Sequence, residues 1–411
     1  MTLIGSKNDS KGFMVITPSE AFHRVSFLLN RFVDPSATVL QLVKVVDQFD
    51  SVETFNTFLQ VLEEATLEDG LIDPETVIGI VKLTQLVQAD ADNIRYLREV
   101  FSHKFALPSR VSFELVKILA ADPKGLINIK NLMELDFKEP DKAVSLLASK
   151  PATPQDVLYF RKILSKAVDV DRSAKNLALI SGLLESEFFV HLAYGVDFIH
   201  DVDDYLEQLR KAIQYDKDLG WVDVFSHGQM RSKQWLVEEL GRTGINLGIV
   251  FIEGGWIGSL AHMIAHELPF EKIRSFDINE RCARAADLIN YASLIDGWKF
   301  KGATRDMFDT IYEGQTYTAS NYDGKLFELS DRPNTVINTS SEHVDFEAWI
   351  QTVPEGTLVV VQNNDFLEGT GHIKCQPNVE TFEAKLGLSQ VLYSGTLKLE
   401  KYNRFMVIGY K

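Results

Sequence analysis

The chain has 411 residues, a formal net charge of −16, 45% hydrophobic residues and 24% charged ones. That length accommodates two domains, and the composition is that of a folded globular protein, which excludes a disordered or low-complexity chain. The acidic balance and the lack of a Lys/Arg block argue against a generic surface for long nucleic acid.

At the start, Met1 to Lys7 lack the apolar core of a signal peptide, and no later segment offers about 20 uninterrupted apolar residues, so no membrane span is expected. Cys282 and Cys375 stand alone, too few for a disulfide framework or a zinc cluster; no metal is expected, and a cytoplasmic location is. From about Thr17 to Leu240 apolar residues recur at three- and four-residue intervals behind polar starts that can cap free N–H groups, which predicts helices. Thr17-Pro18-Ser19-Glu20, Ser51-Val52-Glu53-Thr54, Asp73-Pro74-Glu75 and Thr153-Pro154-Gln155-Asp156 are such starts. No fixed repeat period is present, so the expectation is an all-α N-terminal domain over residues 1–200 that packs on, caps or recruits for the rest. Residues 201–243 are read as linking helices at the head of a second domain, 201–411. The helix carrying Gln229, Met230, Ser232, Lys233, Trp235, Leu236 and Leu240 has Ser226 as its candidate cap.

After Gly244 short β-rich runs alternate with helices. Strands are predicted at Ile245–Ile252, Ile273–Phe276, Trp298–Gly302, Thr335–Asn338 and Gly356–Gln362, with helices at Trp256–Leu268 and Glu280–Ile295. Such alternation implies parallel pairing, because each crossover needs a helix to return the chain. Gln390–Leu399 and Arg404–Tyr410, joined by four residues, are predicted to form an antiparallel hairpin.

Two motifs carry chemistry. Glu253-Gly254-Gly255-Trp256-Ile257-Gly258 follows the first strand, and Phe276-Asp277-Ile278-Asn279 follows the second. Glycines allow close backbone approach to a ligand, and an acidic side chain at the second strand's tip can accept both ribose hydroxyls. The bland alternatives are a tight turn and a helix-capping Asp.

Five parallel strands closed by a terminal hairpin resemble the class I S-adenosylmethionine-dependent methyltransferases over roughly Ser226 to Lys411. The segments Asn338 to His343, Gly356 to Phe366 and Tyr402 to Gly409 are also similar to methyltransferase-like proteins of tailed bacteriophages. The resemblance implies an α/β, Rossmann-like domain that binds S-adenosylmethionine. It places Glu253, Gly254, Gly255 and Gly258 beside the methionine part, Asp277 at the ribose hydroxyls with Ile278 next to it among the cofactor-binding residues, and Thr304, Asp306 and Met307 around the adenine ring. Gln229, Ser232 and Lys233 are placed near the methionine carboxylate. Asn338, Glu342 and His343, after the fourth strand, fall where this fold delivers side chains to methyl transfer; His343 or Glu342 is the candidate base. The alternative is that Ser341-Glu342-His343 starts a helix running to Trp349. Asn363, Asn364 and Gly369 to His372 extend the fifth strand as an acceptor-reading edge and lid.

The glycine spacing departs from the methyltransferase pattern, which leaves open an aminocarboxypropyl transfer of the nicotianamine-synthase type. A binding or structural protein that retains the fold without turnover also remains open. No Asn-Pro-Pro-Tyr follows the fourth strand, so the acceptor class is a small molecule, a nucleotide or a protein.

Overall fold

The computed structural model describes residues 154–411 except 321–324, and before them the segments 31–43 and 51–64 with scattered positions from 19 to 146. The chain divides into two compact units, Met1–Gly182 and Leu183–Lys411. The helix starts expected at Thr17-Pro18 and Asp73-Pro74-Glu75 lie outside the described residues, as does Thr153.

In the first unit the described helices are α1 (Pro35–Val43), α2 (Val52–Glu64), α3 (Pro154–Leu164) and α4 (Val170–Ser181). Ser51 caps α2 as its sequence predicts, its Oγ accepting from the Thr54 N–H at 3.1 Å. Phe49, Phe55 and Phe58 pack together beneath it, the Phe49–Phe55 centroids 5.1 Å apart. Asp169 caps α4 through the Arg172 N–H.

The second unit opens with α5 (Ser186–Gly195), α6 (Val202–Tyr215), α7 (Trp221–Val224) and α8 (His227–Arg242). Its sheet runs β1 (Ile249–Glu253), β2 (Lys272–Asp277), β3 (Phe300–Thr304), β6 (Thr335–Asn338), β7 (Leu358–Asn364), β8 (Gln390–Lys398) and β9 (Asn403–Tyr410), in the spatial order β3-β2-β1-β6-β7-β9-β8. The first five in that order pair in parallel, and β9 pairs antiparallel with both β7 and β8. This is the strand order of the class I methyltransferase sheet, with the reversal of winding between β1 and β6. Strands β6 and β7 are buried throughout, and β1 from Val250 on, because both faces are covered, and Phe251, Phe276, Val336, Val361, Trp349 and Phe405 form one core.

Several expected boundaries move for local reasons. The first strand starts at Ile249 because Gly248 has φ 59° and its N–H is turned onto Asn246 Oδ1. Trp298 has φ 60°, so the third strand starts at Phe300. The helix after the first motif, α9 (Ser259–Glu267), begins only after Gly258, at φ 76°. The predicted helix Glu280–Ile295 breaks into α10 (Glu280–Ile289) and α11 (Tyr291–Ile295) at Asn290. The buried Asn290 amide donates to Gly258 O and Ala286 O. The helix proposed over Ser341–Trp349 is a single 3₁₀ turn, Ser341–His343, followed by α12 (Phe346–Ile350). The last helix, α13 (Val379–Leu386), precedes the hairpin.

One element is absent from the sequence reading. β4 (Gln315–Ser320) and β5 (Leu326–Asp331) form a separate antiparallel pair. It is fastened to β2 by the buried Arg274, which is ion-paired to Asp331 at 2.7 Å, lies over the Tyr317 ring at 5.3 Å, and donates to Trp298 O. Lys272 adds a second contact to Asp331 at 2.9 Å.

Candidate active site

Register brings the acidic and polar tips to one edge of the sheet. Glu253 is opposite Phe276 on one side and Asn338 on the other, and Asp277 is opposite Thr304. These are the carboxyl ends of the parallel strands at the point where winding reverses, the crevice in which open α/β sheets hold ligands.

The loop after β1 is built by close contacts. A Cβ on Gly255 would stand inside the Ser275 hydroxyl, and Gly254 takes φ 65°. The N–H groups of Gly255, Trp256 and Gly258 are bonded to Phe276 O, Asp277 Oδ2 and Gly255 O. The first turn of α9, which has no side-chain cap, adds free backbone donors at this edge. The Trp256 indole N–H reaches Leu219 O at 3.3 Å, which ties the loop to the segment before α7.

Asp277 accepts one backbone N–H on each oxygen, Trp256 on Oδ2 and Asn279 on Oδ1, both at 2.9 Å. A carboxylate has about four acceptor positions, so each oxygen keeps capacity for a further donor. Asn279, not Asp277, caps α10 through the Arg281 N–H, which removes the capping alternative for Asp277. Beside it Ile278 is 73% exposed, an apolar side chain held at the open edge. Across β3, Asp306 Oδ1 caps a short turn through the Phe308 N–H, and Thr304 ends the strand exposed. Met307 Sδ accepts from the Asn338 amide at 3.6 Å, which joins the third-strand loop to the tip of β6.

Glu253 differs from the expectation of a side chain at a ligand's amino group. It is fully buried, with Tyr312 Oη donating to Oε1 at 3.0 Å and Thr310 Oγ1 to Oε2 at 3.4 Å. Trp349 Nε1 donates in turn to Tyr312 Oη at 3.0 Å. Burial pushes the Glu253 carboxyl up to about 8, against the two hydroxyl donors that favour its charge.

Glu342 also differs from the candidate base. It is buried, Oε1 taking Arg404 Nη1 at 2.6 Å and Asn364 Nδ2 at 2.8 Å. A residue so paired holds β6 and β9 together. The exposed His343 lies beside it, its Nδ1 3.1 Å from Gly371 O. Asn338 is fully buried, its Oδ1 accepting from the Ser340 N–H.

On α8, Ser232 is buried and its hydroxyl folds back onto Gly228 O, so it does not face a ligand. Gln229 Oε1 accepts from Lys233 Nζ at 2.6 Å. Burial, with Arg404's charge adding to it, brings the Lys233 ammonium down to about 7. Helical periodicity with Met230, Leu236, Val237 and Leu240 marks Lys233 as an inward position.

A cavity of about 620 Å³ opens on the outer side of β3, between α10 and the β4–β5 pair, and shares Thr304 and Arg305 with the edge above. It lies beside the glycine loop rather than over it, and the register of the strand tips is the better guide to the site. Among the described residues no helix is long and apolar enough to cross a membrane.

No protein-family model and no curated protein matches the chain. Solved structures do. Magnesium protoporphyrin IX methyltransferase from Synechocystis PCC 6803, with bound SAH, is 13% identical over 50% of this chain and 86% of its own, at TM-score 0.32. The N-methyltransferase NodS from Bradyrhizobium japonicum WM9 is 11% identical over 44% of this chain and 95% of its own, at 0.31. An S-adenosylmethionine-dependent methyltransferase from Clostridium acetobutylicum ATCC 824 is 10% identical over 43% and 89%, at 0.31. These are likenesses of fold at most, and the sheet order stands without them.

Proposed function

We propose that the second unit binds S-adenosylmethionine and transfers its methyl group to a small molecule, a nucleotide or a protein. The observation that carries this reading is Asp277. Two backbone bonds hold its carboxylate at the tip of β2 with acceptor capacity left for ribose hydroxyls, beside an exposed Ile278 that a purine can cover. Transfer from a sulfonium is an in-line displacement, so positioning supplies most of the catalysis. Asn338 is fully buried and bonded to Met307 Sδ and to the Ser340 N–H, so its role in this proposal is to brace the edge at which the methyl group is transferred. Calorimetry with S-adenosylmethionine and with its demethylated product tests the reading: micromolar binding is expected, and no heat from folded protein overturns it.

A second reading, transfer of the aminocarboxypropyl group from the same cofactor, rests on the irregular glycine spacing of the loop, in which Trp256 stands at φ 50°. The released product separates the two, S-adenosylhomocysteine for methyl transfer and methylthioadenosine for the other.

A further inference from the structure

The loops after β6 and β7 bring Glu342, His343 and His372 together, and a carboxylate oxygen of the first and one ring nitrogen of each histidine lie within 4.8 Å of one another. From this cluster we infer a site for a divalent transition-metal ion, held by the two imidazoles and the Glu342 carboxylate. It stands independently of the cofactor reading.

Hydrogen bonding fixes which atoms are offered. His343 Nδ1 lies 3.1 Å from Gly371 O and His372 Nδ1 lies 2.6 Å from Phe366 O. A carbonyl only accepts, so each Nδ1 carries the hydrogen and each neutral ring presents the Nε2 lone pair. A backbone carbonyl behind the far ring nitrogen is the usual support of a metal-bound histidine, since it sets both tautomer and ring orientation. Cys375 Sγ is on the Nδ1 side of His372, at 3.5 Å, and stays outside the donor set.

The carboxylate supplies a second, independent pointer. Glu342 is 4% exposed, and while Oε1 takes both Arg404 and Asn364, Oε2 is buried with no hydrogen-bond partner among the described residues. A buried carboxylate oxygen without a donor is costly, and a cation satisfies it. Two glycines seat the rings. A Cβ on Gly369 would fall within the His372 ring, and Gly371, at φ 76°, brings its would-be Cβ to 3.4 Å from His343 Nδ1.

Two imidazoles and one carboxylate suit zinc with an open fourth position, or iron(II), and not an all-oxygen magnesium or calcium cage. Tetrahedral zinc ligands stand about 3.3 Å apart. The difference between that spacing and 4.8 Å is the movement that metal binding requires of the three ligands. As a ligand, His343 Nε2 replaces the expected proton acceptor.

The test uses the full chain, stripped with chelator and titrated with Zn²⁺ alone by calorimetry, with Co²⁺ absorption reporting the coordination. One equivalent is expected to bind at micromolar Kd or tighter, uncompeted by excess Mg²⁺. His372→Gln and His343→Gln should each weaken binding by at least about 10-fold, and Gly369→Ala should do so with every ligand still present. His343 is exposed, so its variant keeps the core intact if another fails to fold. Absence of zinc binding, affinity unchanged in His343→Gln, or displacement by equal Mg²⁺ overturns the site. S-adenosylmethionine binding to the stripped protein, measured separately, reports on the cofactor reading alone.

Discussion

The Trp256 backbone N–H donates to Asp277 Oδ2 at 2.9 Å, so the loop after β1 is fastened to the tip of β2. One carboxylate thereby shapes the glycine loop and faces the ligand edge, and its removal acts on both.

Asp277→Ala is expected to weaken S-adenosylmethionine binding by about 10- to 100-fold, the range for losing hydrogen bonds to a charged acceptor. Asp277→Asn keeps an acceptor oxygen and should fall between. Calorimetry on both variants checks the order; equal affinity in Asp277→Ala and the parent removes Asp277 from the site.

The Gly255–Ser275 contact predicts a coupled pair. Gly255→Ala drives a methyl into the Ser275 hydroxyl and should destabilise by about 1–3 kcal/mol, the range for overpacking. Adding Ser275→Ala should recover much of that loss, because the clashing oxygen is gone. A denaturant double-mutant cycle measures the coupling, and additive effects would show that the loop moves aside.

Glu253 predicts a pH dependence. Its folded value, about 8, lies above the ordinary carboxyl value of 4.5, so between these the folded state binds the extra proton. Its contribution is complete below pH 4.5 and is lost as pH rises through 8, by an amount on the order of a few kcal/mol. Glu253→Gln, which keeps the amide within the Tyr312 and Thr310 contacts, should flatten this slope in urea titrations from pH 5 to 8.5. A parallel slope in the variant assigns the dependence elsewhere.

The strands of the parallel sheet were legible because apolar runs ended in Gly, Asp or Asn, and the Asp277 tip followed from that pattern. The β4–β5 pair was not: Gln315-Thr316-Tyr317-Thr318 alternates weakly, and its anchor, Arg274 in the middle of β2, reads as a polar interruption until Asp331 is placed against it. The same limit applies to Glu253 and Glu342. Their partners Tyr312 and Arg404 lie 59 and 62 residues away, so a sequence shows two acidic residues at strand tips and not the bonds that occupy them. His372 belongs to a glycine-rich segment whose composition suggested a lid, while its pairing with His343 depends on tertiary closure.

The Arg274–Asp331 pair is buried on both sides, with side chains 1% and 2% exposed. Removing one partner leaves an uncompensated buried charge, so Asp331→Ala should cost about 3–5 kcal/mol, whereas Arg274→Met with Asp331→Leu should recover most of it. Urea denaturation of the parent and the two variants checks this; a double variant no better than Asp331→Ala would mean that Lys272 and Tyr317 also require the carboxylate.

Lys233 gives the opposite sign to Glu253. Burial lowers its ammonium from 10.5 to about 7, so between these values the folded state binds fewer protons than the unfolded one. The stability it allows is present above pH 10.5 and is lost as pH falls through 7, because an ammonium must then be held at a buried site near Arg404. Its hydrogen-bond partner is Gln229, a neutral acceptor that offsets little of the desolvation. Lys233→Met fills similar volume without a charge and is expected to raise stability at pH 7 by a few kcal/mol, the gain shrinking toward pH 9.5. Urea titrations of parent and variant at several pH values measure both trends. A loss of stability at pH 7 would show instead that the charged ammonium holds α8 in place.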